Sequence, residues 1–240
     1  MTNKKVFYEK YVSYHVRNMY GVQSLEKVEQ TFPILKSYFA RFLPSEKSAK
    51  VLDLGCGSGE FVYFLRSLGF VNVEGIDVSE EQAMEAKRLG IAGIFKADAL
   101  AFLKTRKKSY DLIVARDFLE HFTRDELMVL VPMIFEALDN KGICIAQTIN
   151  AESLLSARLR YADFTHEVAF TQSSICQLLY ASGFSKVKIC PMRPVIRGLA
   201  SFLRYCLWRL IECSLHIYLI VATGYRKGIF TQDLLAVARK

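Results

Sequence analysis

Asp53 stands two residues before three alternating glycines, Gly55, Gly57 and Gly59, in the run Val-Leu-Asp-Leu-Gly-Cys-Gly-Ser-Gly over 51–59. Glycine accepts positive φ and carries no side chain, so such a loop turns sharply and lets a ligand approach the backbone. A helical pattern follows at once, and its first N–H groups point at whatever lies there. Two common ligands do not fit. A dinucleotide fingerprint would need a glycine where Glu60 stands, and a phosphate loop would need Gly-Lys-Ser/Thr. An acid ahead of the glycines suits a small polar ligand that carries an ammonium group.

Two further acids fall at corresponding places. Asp77 ends a second apolar run and Asp98 follows a third. At the carboxyl ends of neighbouring strands, Asp77 can accept hydrogen bonds from both hydroxyls of a ribose, and Asp98 can reach an adenine amino group. A lone Asp in such a position is more often a turn or helix cap. Three of them, each just past a strand, argue for a nucleoside-bearing ligand.

The elements that position these residues alternate. Strands are expected at Val51–Leu54, Val73–Ile76, Ile94–Lys96, Asp111–Ala115 and Gly142–Thr148, then at Lys186–Cys190 and Leu234–Ala238. Helices separate them, two opened by capping boxes at Ser79–Gln82 and Thr123–Glu126. Residues 24–43 read as helical with a break near Pro33, and 150–170 have little regular pattern. The alternation predicts an α/β fold: seven strands in a mostly parallel sheet with helices on both faces. The expected organisation is an N-terminal helical cap over 1–47, carrying Tyr8, Tyr11, Tyr14 and Tyr20, and one domain over 48–240.

The loop over 51–59, Gly-Ile-Asp-Val-Ser over 75–79 and Tyr-Asp-Leu-Ile-Val-Ala-Arg-Asp-Phe-Leu-Glu-His-Phe over 110–122 resemble class I S-adenosylmethionine-dependent methyltransferases, which have a Rossmann-like fold. The general type is similar to ubiquinone-biosynthesis O-methyltransferases. The run Arg-Tyr-Ala-Asp-Phe-Thr-His-Glu-Val-Ala-Phe-Thr over 160–171 resembles a subgroup found with bacterial surface-polysaccharide synthesis. The resemblance implies S-adenosylmethionine as cofactor. Gly55, Gly57 and Gly59 would pass its methionine end and Asp53 would lie near its ammonium and sulfonium. Asp77 with Val78 would hold the ribose, Asp98 with Ala99 would face adenine, and Arg116 and Asp117 would form the floor.

Methyl transfer to a hydroxyl needs an aligned acceptor and gains from a general base. Two histidines compete for that role, with Asp117 beside them. His121 follows the fourth strand. His166 lies after the fifth, between Asp163 and Glu167, where a flanking carboxylate can orient its ring. His15 and His216 have no supporting neighbours.

Six scattered cysteines without a C-x-x-C pair, and four unrelated histidines, point to reduced thiols in a cytoplasmic protein and to no metal site. The N-terminus lacks the apolar core of a signal peptide. The net charge of +8 comes entirely from residues 186–240, which hold 10 basic and 2 acidic residues. Within them 195–230 form an apolar insertion between the last two strands, a single long helix bracketed by Gly198 and Gly224. Arg204, Arg209, Glu212 and His216 fall on one arc of about 140°. Trp208 and Tyr205 lie in or beside that arc, as interfacial aromatics would. This pattern fits a helix lying on an anionic membrane surface. A dimer-forming helix and extra core are the alternatives. The expected activity is O-methylation of a sugar in a surface polysaccharide or lipid-linked glycan, with a quinone or other lipid-like small molecule as the alternative acceptor. A non-catalytic cofactor-binding or membrane-interaction protein is the alternative of another class. Nucleic acid is not expected as a partner, because the body is neutral and no Asn/Asp-Pro-Pro-Tyr motif follows the fourth strand.

Overall fold

The computed structural model describes Phe7, Tyr8, Val12, Ser13 and residues 23–240, so Tyr11, Tyr14, His15 and Tyr20 lie outside the described residues. The apolar run before the glycines is strand β1 (Lys50–Leu54). The other strands are β2 (Asn72–Asp77), β3 (Ile94–Lys96), β4 (Tyr110–Arg116), β5 (Leu138–Ile149), β6 (Lys186–Pro191) and β7 (Asp233–Arg239). They form one sheet in the order β3-β2-β1-β4-β5-β7-β6. The first five are parallel, and β7 runs antiparallel between β5 and β6. Strand β5 begins earlier than its sequence pattern suggests, because Leu138 already pairs with Tyr110 across a register irregularity.

Successive residues of β1 and β4 point to opposite faces, and both faces are covered. On one, Val51, Leu112 and Ile145 pack with Leu35 and Phe39 of helix α2 (Phe32–Phe39), Phe61 and Phe64 of α3 (Glu60–Ser67) and Ala86 of α4 (Glu80–Arg88). On the other, Leu52, Ile113 and Ala146 pack with Leu103 of α5 (Ala99–Leu103), Leu130 and Ile134 of α6 (Arg124–Ala137) and Ile175 and Leu179 of α8 (Gln172–Ala181). Between α6 and α8 comes a short helix, α7 (Ser156–Arg160), within the stretch expected to be irregular. The expected break near Pro33 is present, falling at residues 30–31 just before it. Pro33 sits in the first turn of α2, where its missing N–H costs nothing, and a separate short helix α1 (Leu25–Glu29) precedes it. Of the two expected capping boxes, the one at Thr123 and Glu126 is complete, and Ser79 caps α4 through the Gln82 N–H.

The carboxyl ends of β1, β2, β4 and β5 share one edge of the sheet. Strand β7 starts at that edge, with Asp233 opposite Ile149, and β6 ends there, with Pro191 beside Leu234. The long helix α9 (Leu199–Thr223) therefore leaves and rejoins the sheet on the same side as the glycine loop.

Its orientation follows from one buried acid. The middle of the polar arc turns toward the body while Arg204 and Arg209 at its edges stay exposed: Glu212 is buried, paired with Arg193 (2.9 Å) and with Arg209. His216 packs edge-on against Phe230 at 5.1 Å, and Trp208 and Tyr205 turn half-buried toward the body. The apolar arc is the exposed one.

Candidate active site

The glycine loop has the backbone its sequence demands. Gly55, Gly57 and Gly59 have φ of +67°, +55° and +84°, all left-handed. A Cβ on Gly55 would lie 2.4 Å from the Phe118 ring, so here glycine is also a matter of space. Gly59 occupies the N-cap of α3 and offers no side chain to its first N–H groups. The loop is tied to β2 through Asp77, whose Oδ2 accepts the Gly57 N–H (2.9 Å) while Oδ1 accepts the Ser79 N–H (2.8 Å). Burial raises the Asp77 pKa against these backbone donors. Val78 next to it is exposed and apolar, a platform at the cleft edge.

Asp53 is buried at the end of β1, and among the described residues no hydrogen bond to its carboxylate is formed. Burial pushes its pKa up to about 7, with Arg116 pulling the other way and Asp77 and Glu60 adding to the rise. Arg116 ends β4. Its guanidinium lies 3.6 Å from Glu60 and over the Phe61 and Phe39 rings, and its Nε is buried without a partner. A buried carboxylate beside an under-satisfied guanidinium complements a zwitterionic amino-acid group, ammonium to Asp53 and carboxylate to Arg116. The residues present therefore fit the methionine end of S-adenosylmethionine.

Asp98 has the ordinary role weighed for it. Its Oδ1 caps α5 by accepting the Ala101 N–H (2.9 Å), with Ala99 buried behind it. The Asp98 side chain is exposed.

Past β4 the chain turns at Asp117 with φ +48°, a left-handed conformation that is uncommon for a residue with a side chain. Its N–H bonds the Gln147 carbonyl, and its Oδ1 accepts from Gln147 Nε2 (2.9 Å). Desolvation raises its pKa, opposed by Arg116, Gln147 and His166. Then Leu119–His121 form a 3₁₀ turn that brings His121 over the sheet edge.

His121 and His166 meet, with ring centroids 4.8 Å apart. His166 Nδ1 lies 3.0 Å from the Leu159 carbonyl. A carbonyl only accepts, so Nδ1 carries the proton and Nε2 holds a lone pair. His121 Nδ1 lies 2.8 Å from Thr165 Oγ1, whose own hydrogen goes to Asp163 Oδ1 (2.7 Å). This fixes the same tautomer. The carboxylate expected to serve His166 thus serves His121 instead, through Thr165. Tyr8 bonds the same threonine, and burial lifts its pKa to about 12, so it remains a donor.

Three residues with no role in the sequence reading belong here. Glu120 is buried, accepts from Thr148 Oγ1 (3.0 Å), and its carbonyl accepts the Glu167 and Val168 N–H groups, which docks the 163–168 segment onto the 3₁₀ turn. Burial and Asp117 raise its pKa well above the carboxylate range. Asp233 is pushed to about 7 by burial and Asp117. Gln147 faces Asp117 from β5. Their approach depends on tertiary packing, although Glu120 lies within the motif after β4.

Against known proteins, a methyltransferase domain family matches residues 28–189, well over half the chain, and the chain belongs to that family. Among solved structures it is similar to a SAM-dependent methyltransferase from Archaeoglobus fulgidus, with 24% identity and a TM-score of 0.66 over 90% of this chain and 97% of that one. It is also similar to Haemonchus contortus phosphoethanolamine N-methyltransferase 2 in complex with S-adenosyl-L-methionine, with 17% identity and a TM-score of 0.65 over 97% of this chain and 60% of that one. A tRNA1(Val) (adenine(37)-N6)-methyltransferase from Yersinia enterocolitica is 32% identical over 83 residues, which is 31% of this chain and 33% of that protein. The chain thus spans about a third of the length of this curated relative.

Proposed function

We propose that the protein is an S-adenosylmethionine-dependent O-methyltransferase whose acceptor is a hydroxyl of a sugar, in a bacterial surface polysaccharide or its lipid-linked precursor. The cofactor supplies a sulfonium-bound methyl group, an electrophile with a good leaving group. The chain's residues do the rest: Asp53 and Arg116 take the amino-acid end, Asp77 the ribose hydroxyls, and Val78, Asp98 and Ala99 the base.

One observation carries the acceptor chemistry. His166 lies near Asp117 and against the His121 ring, and its Nδ1 is engaged at the Leu159 carbonyl, which turns Nε2 into the proton-accepting atom of the neutral ring. With the cofactor bound, His166 Nε2 would take the acceptor hydroxyl's proton as that oxygen is methylated, the cofactor's thioether being the leaving group. An amine acceptor would need a base less. The lining around Asp117, Gln147, Tyr8 and the histidines is polar and rich in hydrogen-bonding groups, which suits a polyhydroxylated ring over a flat quinone. The cytoplasm is the expected compartment for this chemistry.

The test is label transfer. Protein, methyl-tritiated S-adenosylmethionine and separate fractions of lipid-linked glycan, free polysaccharide, quinone precursors and tRNA are incubated, and label is counted in each. Label in a glycan fraction is expected. Label confined to quinones would replace the reading, and label in tRNA would overturn it.

A further inference from the structure

We infer that α9, with the basic cleft at its N-terminal half, docks the protein flat on an anionic lipid bilayer, whichever hydroxyl the enzyme methylates.

The helix is pinned by its polar side. Glu212 is held to the body by Arg193 and braced within the helix by Arg209, and the half-buried residues Ser201, Tyr205, Trp208, Leu215 and Leu219 follow the same inward stripe. Opposite them, Leu199, Leu203, Leu207, Leu210, Ile217 and Val221 are between 55 and 81% exposed. At 100° per residue these six fall within an arc of about 80°, and about 220° of the circumference between Arg209 and Arg204 carries no charge. A coiled-coil seam is narrower than this, whereas burial in a headgroup and acyl boundary uses such a breadth.

Charge identifies the occupant. Arg197, Arg204, Arg226 and Lys227 are exposed around the apolar face. Next to it, a cleft of about 630 Å³ is lined by Tyr38, Arg41, Lys188, Arg193 and Tyr205 among others, with three cations and no acid in its lining. Arg41 and Lys188 both lie over the Phe42 ring, and among the described residues neither forms an ion pair. Arg193 is paired with Glu212, and an apolar face rimmed by the remaining cations matches phosphate headgroups above acyl chains.

Topology fixes the pose. The helix is long and apolar enough to cross a membrane by composition, at a mean hydropathy of 1.4 over its best window. A crossing would put its two ends on opposite sides. Yet β6 before it and β7 after it are hydrogen-bonded neighbours in one sheet. The helix must therefore lie in the interface plane. Its connections join the sheet edge that carries Asp53, Asp77 and the histidines, so docking turns the active-site edge toward the bilayer. Leu154, Leu155, Tyr161 and Phe164, exposed in the segment after β5, present further apolar surface at that edge. Asn150 Nδ2 ties this segment to the return of α9 by donating to the Ile229 and Thr231 carbonyls.

Flotation of the full chain tests this, with phosphatidylcholine vesicles containing phosphatidylglycerol and with phosphatidylcholine alone. Wild-type protein should float with the anionic vesicles and stay at the bottom with the neutral ones. The exposed triple variant Leu203→Gln, Leu210→Gln, Ile217→Gln should lose flotation, and Arg41→Gln with Lys188→Gln should reduce it. Cofactor affinity measured by calorimetry should be unchanged in both, which separates failure of docking from failure of the methyltransferase reading. Wild-type protein that remains at the bottom overturns the inference. So does a dimer in solution that the triple variant dissociates, because the face then belongs to a second copy.

Discussion

His121 and His166 sit with ring centroids 4.8 Å apart, each held by its Nδ1, one to Thr165 and the other to the Leu159 carbonyl. Neither arrangement is reached within one element. The first histidine rides on the 3₁₀ turn after β4. The second lies in a segment docked on that turn by the Glu120 carbonyl. Buried Glu120 anchors the joint, since its side chain also binds Thr148 of β5. The pair is thus positioned by the sheet edge itself, which gives the rigidity that a base needs to meet a hydroxyl proton.

If His166 Nε2 accepts that proton, His166→Gln should lower kcat by about 10²- to 10⁴-fold and leave cofactor affinity intact. Thr165→Val would instead free the His121 ring and expose Asp163, with a smaller loss. Tritium transfer at saturating cofactor, with calorimetry alongside, checks both. Full turnover by His166→Gln together with a dead His121→Gln would transfer the role to His121.

The cofactor loop was legible because its information is local. A strand, an acid and three glycines in nine residues specify both backbone and chemistry, and the left-handed φ values at Gly55, Gly57 and Gly59 follow. The place of Asp77 at the end of β2 was legible for the same reason. The histidine network was not, because which carboxylate serves which imidazole depends on how the 163–168 segment docks. Asp163 stands three residues before His166 but reaches His121 through Thr165. The long helix shows the same limit. Periodicity revealed a polar arc and an apolar arc, but the inward side was decided by a partner elsewhere, Arg193, which buries Glu212.

Asp77→Ala should weaken S-adenosylmethionine binding by about 100-fold or more. It would remove the two charge-assisted hydrogen bonds that the proposed site makes to the ribose, each worth about 1.5–3 kcal/mol. It also frees the Gly57 N–H that fixes the loop. Titration calorimetry reads the change directly, and an affinity within a few-fold of wild type would remove Asp77 from the ribose site.

Alanine in place of two loop glycines should separate strain from collision. At Gly57 a new Cβ meets nothing nearer than the Gln82 side chain at 3.6 Å, so only the left-handed backbone is penalised, by about 1 kcal/mol. At Gly55 the Cβ would lie 2.4 Å from Phe118, whose ring packs on Phe122 at 4.8 Å. Gly55→Ala should therefore destabilise by about 2–4 kcal/mol. Denaturant melts of the two variants should differ in that order, with unchanged slopes.

Asp53 links binding to pH. Its native pKa of about 7 exceeds the value of about 3.9 for an exposed aspartate. Across that window the folded state holds a proton that the unfolded state releases, so stability falls as pH rises from about 4 to 7. Ammonium recognition needs the ionised carboxylate. Cofactor affinity should therefore rise with pH, by up to about tenfold per unit below 7, and level off above it. Asp53→Asn removes the cost of a buried charge and the site's partner for the ammonium together. At pH 8 it should melt several degrees higher than wild type while binding S-adenosylmethionine much more weakly and without that pH dependence. Scanning calorimetry and binding titrations across pH 5 to 8.5 read both effects. A variant that binds as tightly as wild type would show that Asp53 does not face the cofactor's ammonium.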